Sequence, residues 1–183
     1  MRVAFVIGHH KNAKGAYSDF FKQKEYDFYT EVMQHLEKKI GKQSIFHHTP
    51  NILGYTKRVK STAKKLNKYP FDLVIELHFN AATPKANGCE TLYYFNSKKS
   101  KEFAKQFTKT VVDFTGIKSR NGGIKALSNK KDRGFASVFY PKAPTILIEP
   151  FFGTNEKDCM RIHSTSSMAC ILEDFLTKIN KNG

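Results

Sequence analysis

The chain has 183 residues, 31 of them Lys or Arg and 16 Asp or Glu, for a formal net charge of +15. Its 40% hydrophobic and 13% aromatic content is that of a folding domain, which excludes a disordered polybasic tail. The length suits one domain, and the charge calls for an anionic partner: nucleic acid, an anionic membrane surface or an acidic cell-wall polymer.

Val3–Ile7 is short, apolar, rich in β-branched residues and ended by Gly8, which predicts a buried strand. This apolar run is too short for the hydrophobic region of a signal peptide, and no stretch reaches the ~20 apolar residues of a membrane helix. Synthesis in the cytoplasm without an export signal, and no membrane span, are therefore expected. A Lys-, Asn- and Gly-rich loop precedes a helix expected over residues 19–40, ended by Gly41. Residues 44–48 suggest a short strand. Residues 55–67 form a basic helical stretch stopped by Pro70.

Alternation over 72–79 predicts a strand, with Leu73, Ile75 and Leu77 facing away from Val74, Glu76 and His78. Asn87-Gly88 marks a turn before another strand over 89–95. In residues 98–114, Phe103, Phe107, Val111 and Phe114 recur at helical spacing, and Gly116 ends the helix. Residues 117–144, rich in Gly and Lys, read mostly as loop, with a turn at residues 120–123. Thr145–Glu149 predicts a strand. Asn155, followed by Glu156 and Asp158, opens a final helical stretch with a stripe of Met168, Ile171, Leu172, Phe175 and Ile179, interrupted around residues 163–167. The pattern predicts an α/β fold: a single domain over 1–183, a mostly parallel or mixed twisted sheet with helices on both faces.

Cys89, Cys159 and Cys170 are odd in number and show no C-x-x-C pairing, so a disulfide framework or cysteine zinc knuckle is not expected. They read as small core residues in a reduced compartment.

Ligands of open α/β sheets bind beyond the carboxyl ends of the strands. Three predicted strands end at His9, at His78 and at Glu149. Singly, each reads as a hydrogen-bonded strand-end histidine or a helix-capping carboxylate. Glu25 shifts the balance, because it falls in line with the apolar residues Phe21, Phe28, Val32 and Leu36 of the predicted first helix. A carboxylate on a buried face needs a cation, either a basic side chain or a metal shared with His9 and His78. Two histidines and a glutamate form a frequent catalytic zinc set with one position open to water, and Glu149 could then serve as general base.

In this order, the strand followed by Gly8-His9-His10, Glu25, the run Asp72–Asn80 reading DLVIELHFN, the GCETLYY segment from Gly88 and the TILIEPFFGTN segment from Thr145 resemble the zinc-dependent N-acetylmuramoyl-L-alanine amidases of the type-3 family, which occur in phage endolysins and autolysins. The resemblance spans nearly the whole chain. It implies a Zn2+ site of His9, Glu25 and His78, catalysis by Glu149, and hydrolysis of the amide between N-acetylmuramic acid and L-alanine in peptidoglycan. Three positions depart from the family pattern. His10 follows His9 and competes with it as a ligand, Glu76 stands where serine is usual, and residues 48–50 lack the arginine common after the second strand. The implied protein is a phage endolysin acting as a monomer, made in the cytoplasm and reaching the wall once the membrane is breached. Its charge would then hold it to anionic cell-envelope polymers in place of a wall-binding module.

Two alternatives stay open on the sequence alone. Lys57, Arg58, Lys60, Lys64, Lys65 and Lys68, bracketed by Tyr55 and Tyr69, could bind nucleic acid, although such a run also suits a solvated helix face. Another zinc amidohydrolase or peptidase would share the same residues. No G-x-S-x-G elbow and no phosphate-binding glycine loop is present.

Overall fold

The computed structural model describes residues 1–41 and 50–181, so the strand expected over 44–48 lies outside the described residues. In chain order the elements are β1 (Val3–Ile7), β2 (Tyr17–Ser18), β3 (Gln23–Lys24), α1 (Glu25–Ile40), α2 (Tyr55–Leu66), β4 (Leu73–Leu77) and β5 (Cys89–Tyr94). They continue with α3 (Lys98–Thr115), β6 (Ser119–Leu127), α4 (Phe135–Phe139), β7 (Thr145–Glu149), α5 (Glu156–Ile162) and α6 (Thr165–Lys181). Among the described residues, five strands form the main sheet in the order β1-β4-β7-β5-β6. β1, β4 and β7 run parallel, and β5 and β6 run parallel to each other but antiparallel to β7. The sheet is therefore mixed, and β1, β4 and β7 all end at the same edge.

The alternation of β4 sorts the two faces. Leu73, Ile75 and Leu77 join Phe5, Ile146 and Ile148 in the larger core, which is closed by Phe28 and Val32 of α1, Phe107 of α3, and Ile171, Leu172 and Phe175 of α6. On the opposite face Val6 and Val74 meet Leu66 of α2, while Leu92 and Leu147 meet Phe135 and Val138 of α4. Helices thus cover both faces, as the alternating pattern predicts.

Three expectations are corrected. The first helix starts at Glu25, not near residue 19; β2 and β3 form a small antiparallel ribbon before it. Phe21 belongs to that ribbon's turn and reaches the core against Phe28 and Phe151, so its apolar periodicity imitates a helical turn. Residues 117–144 are not mostly loop. β6 occupies the sheet edge, where one face sees solvent and the apolar signal fades, and α4 is only five residues long. Residues 120–123 form an irregularity within β6: its pairing with β5 passes from Cys89↔Ser119 to Thr91↔Ile124. Elsewhere the sequence signals hold. Gly116 closes α3 in the left-handed conformation at φ 67°, and the Asn155 side chain accepts from the Asp158 N–H to cap α5. The helical stretch breaks at His163 before α6.

All three cysteines are free thiols. No helix among the described residues is long and apolar enough to cross a membrane.

Candidate active site

Because β1 and β4 are neighbours and parallel, Gly8 and His78 leave the sheet side by side, with the Gly8 N–H donating to the Leu77 carbonyl at 3.1 Å. Gly8 has to be glycine here: a Cβ would overlap the His78 ring. The loop after His9 folds over the start of α1, where the Lys14 and Ala16 carbonyls accept from the Tyr26 and Glu25 N–H groups at 2.9 Å each. These bonds satisfy donors that a helix start leaves open, and they fix Glu25 next to the His9 loop. Gly15 closes the arrangement at φ +80°, and a Cβ there would lie 2.7 Å from Glu25 Oε2 and 2.8 Å from His9 Nε2.

The floor beneath is aromatic. Phe28, Phe79 and Phe151 pack with ring centroids 5.3–5.9 Å apart. Each stands within three residues of a site residue: Glu25, His78 and Glu149 respectively. Such ring contacts each add roughly 0.5–1.5 kcal/mol beyond their area, and here they tie α1, β4 and β7 into one rigid base.

Glu25, 2% exposed, presents both carboxylate oxygens to histidines. Oε1 lies 2.8 Å from His78 Nδ1 and also accepts the Phe79 N–H at 3.1 Å; Oε2 lies 3.2 Å from His9 Nε2. The contact to His9 is within ion-pair range but is too poorly directed for a hydrogen bond, so this buried Nε2 has no hydrogen-bond partner. One ligand atom from each of His9, Glu25 and His78 can be chosen within 4.8 Å of the others. Burial opposes ionisation of Glu25, but the hydrogen bond from His78 and the close His78 and His9 rings outweigh it and lower its pKa to about 2. Burial likewise opposes protonation of His78, and bonds to Glu25 and Glu76 outweigh it and raise its pKa to about 10.

The cluster fits a zinc ion by its own chemistry. Two imidazole nitrogens and a carboxylate converge, one buried nitrogen lacks a partner, and a carboxylate faces His78 across a contact that only a proton or a metal can bridge. His10 is 2% exposed, pairs with Ala13 through its backbone, and does not belong to the cluster.

Glu149, 8% exposed, ends β7 on the face that carries Glu76 and His78. Asn80 donates to its Oε2 at 2.8 Å while accepting the Ala81 N–H through Oδ1, which fixes the amide's orientation. The antiparallel register puts Glu90 directly opposite Glu149, and Arg120 donates to Glu90 Oε1 at 3.2 Å. Burial raises the Glu149 pKa above its usual value; the His78 charge opposes this and Glu90 adds to it. His9, His78 and Glu149 line one cleft of ≈ 340 Å³, bordered by Arg58, Lys130, Lys131 and Arg133.

All four residues singled out in the sequence therefore stand at one sheet edge. Sequence reasoning missed Asn80, Glu90 and Arg133 as their neighbours. Asn80 has a visible signal two residues beyond His78, whereas Glu90 and Arg133 are brought in by strand register and by the β6–α4 loop. The basic helix proves partly engaged: Arg58 donates to the Gly8 carbonyl at 3.0 Å and lies over Tyr55, and the Tyr55 hydroxyl bonds Ser137 at 2.8 Å.

Known proteins resemble this chain in family profile and in fold. The N-acetylmuramoyl-L-alanine amidase family profile matches residues 3–181. The fold is similar to the N-acetylmuramoyl-L-alanine amidase from Clostridium difficile 630, at 26% identity and TM-score 0.76 over 99% of this chain and 97% of that one. It is also similar to the catalytic domain of CwlV, the amidase from Bacillus (Paenibacillus) polymyxa var. colistinus, at 22% identity and TM-score 0.74 over 99% of both chains. The catalytic domain of the CD27L endolysin targeting Clostridia difficile shares the fold at 21% identity and TM-score 0.73 over 97% of both chains. No curated protein matches the chain. The profile match, running almost end to end, displaces the nucleic-acid reading: the chain belongs to the N-acetylmuramoyl-L-alanine amidases, hydrolases that cut the amide joining N-acetylmuramic acid to L-alanine in peptidoglycan.

Proposed function

We propose that His9, Glu25 and His78 hold a zinc ion and that Glu149 is the general base for cleavage of the muramoyl–alanine amide. The convergence of the three donor side chains at the end of the cleft that Glu149 also lines carries this reading. Lewis-acid activation of the attacking water and of the scissile carbonyl is the chemistry zinc supplies when bound. The chain's own residues do the rest. Glu149, oriented by the Asn80 amide on its Oε2, takes the proton of the attacking water and passes it to the departing amine of L-alanine. The aromatic floor keeps Glu25, His78 and Glu149 in register while the amide enters the cleft.

The test is digestion of purified peptidoglycan by zinc-loaded and chelator-treated protein, with mass analysis of the products. Free N-terminal L-alanine, appearing only with metal, is the expected result. New reducing sugar ends, or cleavage within the stem peptide, would overturn the reading.

The cationic rim and the +15 charge support a second element of the proposal. The monomeric enzyme, in a lysin role, is concentrated on the anionic cell envelope by electrostatics. Raising salt from about 0.1 M to about 1 M shrinks the Debye length from ~10 to ~3 Å. The fraction that sediments with cell walls is expected to fall across that range while bound zinc stays constant. Sedimentation indifferent to salt would remove the electrostatic role.

A further inference from the structure

Glu76 is a buried carboxylate that neither proposed role uses. It is 6% exposed. A carboxylate in such a place costs several kcal/mol unless its oxygens are bonded. Two groups meet Oε1: Ser137 Oγ at 2.7 Å and His78 Nε2 at 3.1 Å. Strand alternation permits the second contact, because Glu76 in β4 and His78 just beyond it lie two residues apart and point to the same face.

The directions of these bonds follow from chemistry. An ionised carboxylate only accepts, so Ser137 gives its hydroxyl proton to Glu76 and takes one from Tyr55, whose oxygen lies 2.8 Å away. By the same rule, His78 Nε2 must donate to Glu76. In a neutral imidazole the lone pair is then on Nδ1, the nitrogen that faces Glu25.

We propose that Glu76 is a positioning residue for the metal centre: it holds His78 as the Nε2–H tautomer, so that Nδ1 is the nitrogen presented to zinc. The chain Tyr55–Ser137–Glu76–His78 then runs from α2 through α4 to the metal ligand and fixes the ring's rotation as well as its proton. This inference rests on the assignment of His78 as a zinc ligand. Hydrogen-bonded carboxylates behind metal-bound histidines are worth roughly 10–100-fold in metal affinity.

Two measurements test it. In the zinc-loaded, unmodified protein, histidine 15N–1H correlation spectra are expected to show His78 protonated at Nε2; a proton on Nδ1, with zinc on Nε2, would overturn the proposal without any mutation. In parallel, zinc affinity is measured by chelator competition. Glu76→Gln, which keeps size but removes the charge, is expected to weaken zinc roughly 10–100-fold, and Ser137→Ala, which keeps the carboxylate, to weaken it less. Circular dichroism with chelator present checks that both variants are folded. Unchanged affinity in Glu76→Gln, with His78→Ala still losing zinc, would sink the Glu76 role and leave the metal site standing. Undiminished zinc in His78→Ala would remove the ligand assignment and this proposal with it.

Discussion

Glu149→Gln is expected to reduce muramoyl–alanine hydrolysis by roughly 10²–10⁴-fold, the usual worth of a positioned general base, while keeping bound zinc. The amide has nearly the volume of the carboxylate, and its oxygen can still accept from Asn80, so the aromatic floor and the metal cluster are left in place. Lost is the group that takes the proton. The variant should melt at the same temperature as the unmodified protein or higher, because a carboxyl whose pKa is raised by burial makes the folded state less stable once it ionises. The same shift fixes the sign of a pH effect on stability: in chelator, ionised Glu149 costs the folded state stability as pH rises above the unfolded value near 4.5, and Glu90→Gln, which removes one of the charges raising that pKa, should lessen the cost. Retained hydrolysis in Glu149→Gln at normal zinc content would take the residue out of the mechanism.

The legible part of this protein is the part whose sequence signal is local. β1, β4 and β7 are short apolar runs with glycine, histidine or proline at their ends, so the amino-acid order alone marks their carboxyl ends, and with them His9, His78 and Glu149. Glu25 stands out in the sequence for an imperfect reason. Its spacing suggests the buried face of a helix, whereas it is the first residue of α1, delivered by the helix start and held by carbonyls of the preceding loop. Both placements aim the side chain at buried surface, so Glu25 meets His9 and His78 all the same. The hidden features are non-local. Glu90 faces Glu149 only through antiparallel register, and the path from Glu76 to Tyr55 crosses three elements that no periodicity relates. β6 is hidden for another reason: a glycine-bearing edge strand with solvent on one side has little apolar pattern to read.

Glu25→Gln is expected to cost more than activity, because one carboxylate serves two states of the site. With metal, the substitution removes the single charged donor of the three, and zinc bound to the variant should fall well below one equivalent by elemental analysis after gel filtration. Without metal, the same carboxylate neutralises a protonated His78 in a buried site, and a buried pair broken on one side costs on the order of 3 kcal/mol. Its pH dependence follows from the direction of each shift. The folded pKa of Glu25 is depressed, so its contribution is present above the unfolded value near 4.5 and is lost as pH falls toward about 2. The folded pKa of His78 is raised, so its contribution is complete below the unfolded value near 6.5 and is lost as pH rises toward about 10. In chelator, the gap in melting temperature between the unmodified protein and Glu25→Gln should therefore be widest between about pH 4.5 and 6.5 and should narrow on both sides. A gap that is flat across pH, with zinc content unchanged, would mean that Glu25 holds neither the metal nor the imidazolium. A proton shared between Glu25 and His78 at 2.8 Å satisfies both buried groups, and a zinc ion held by His78 would require that proton to leave.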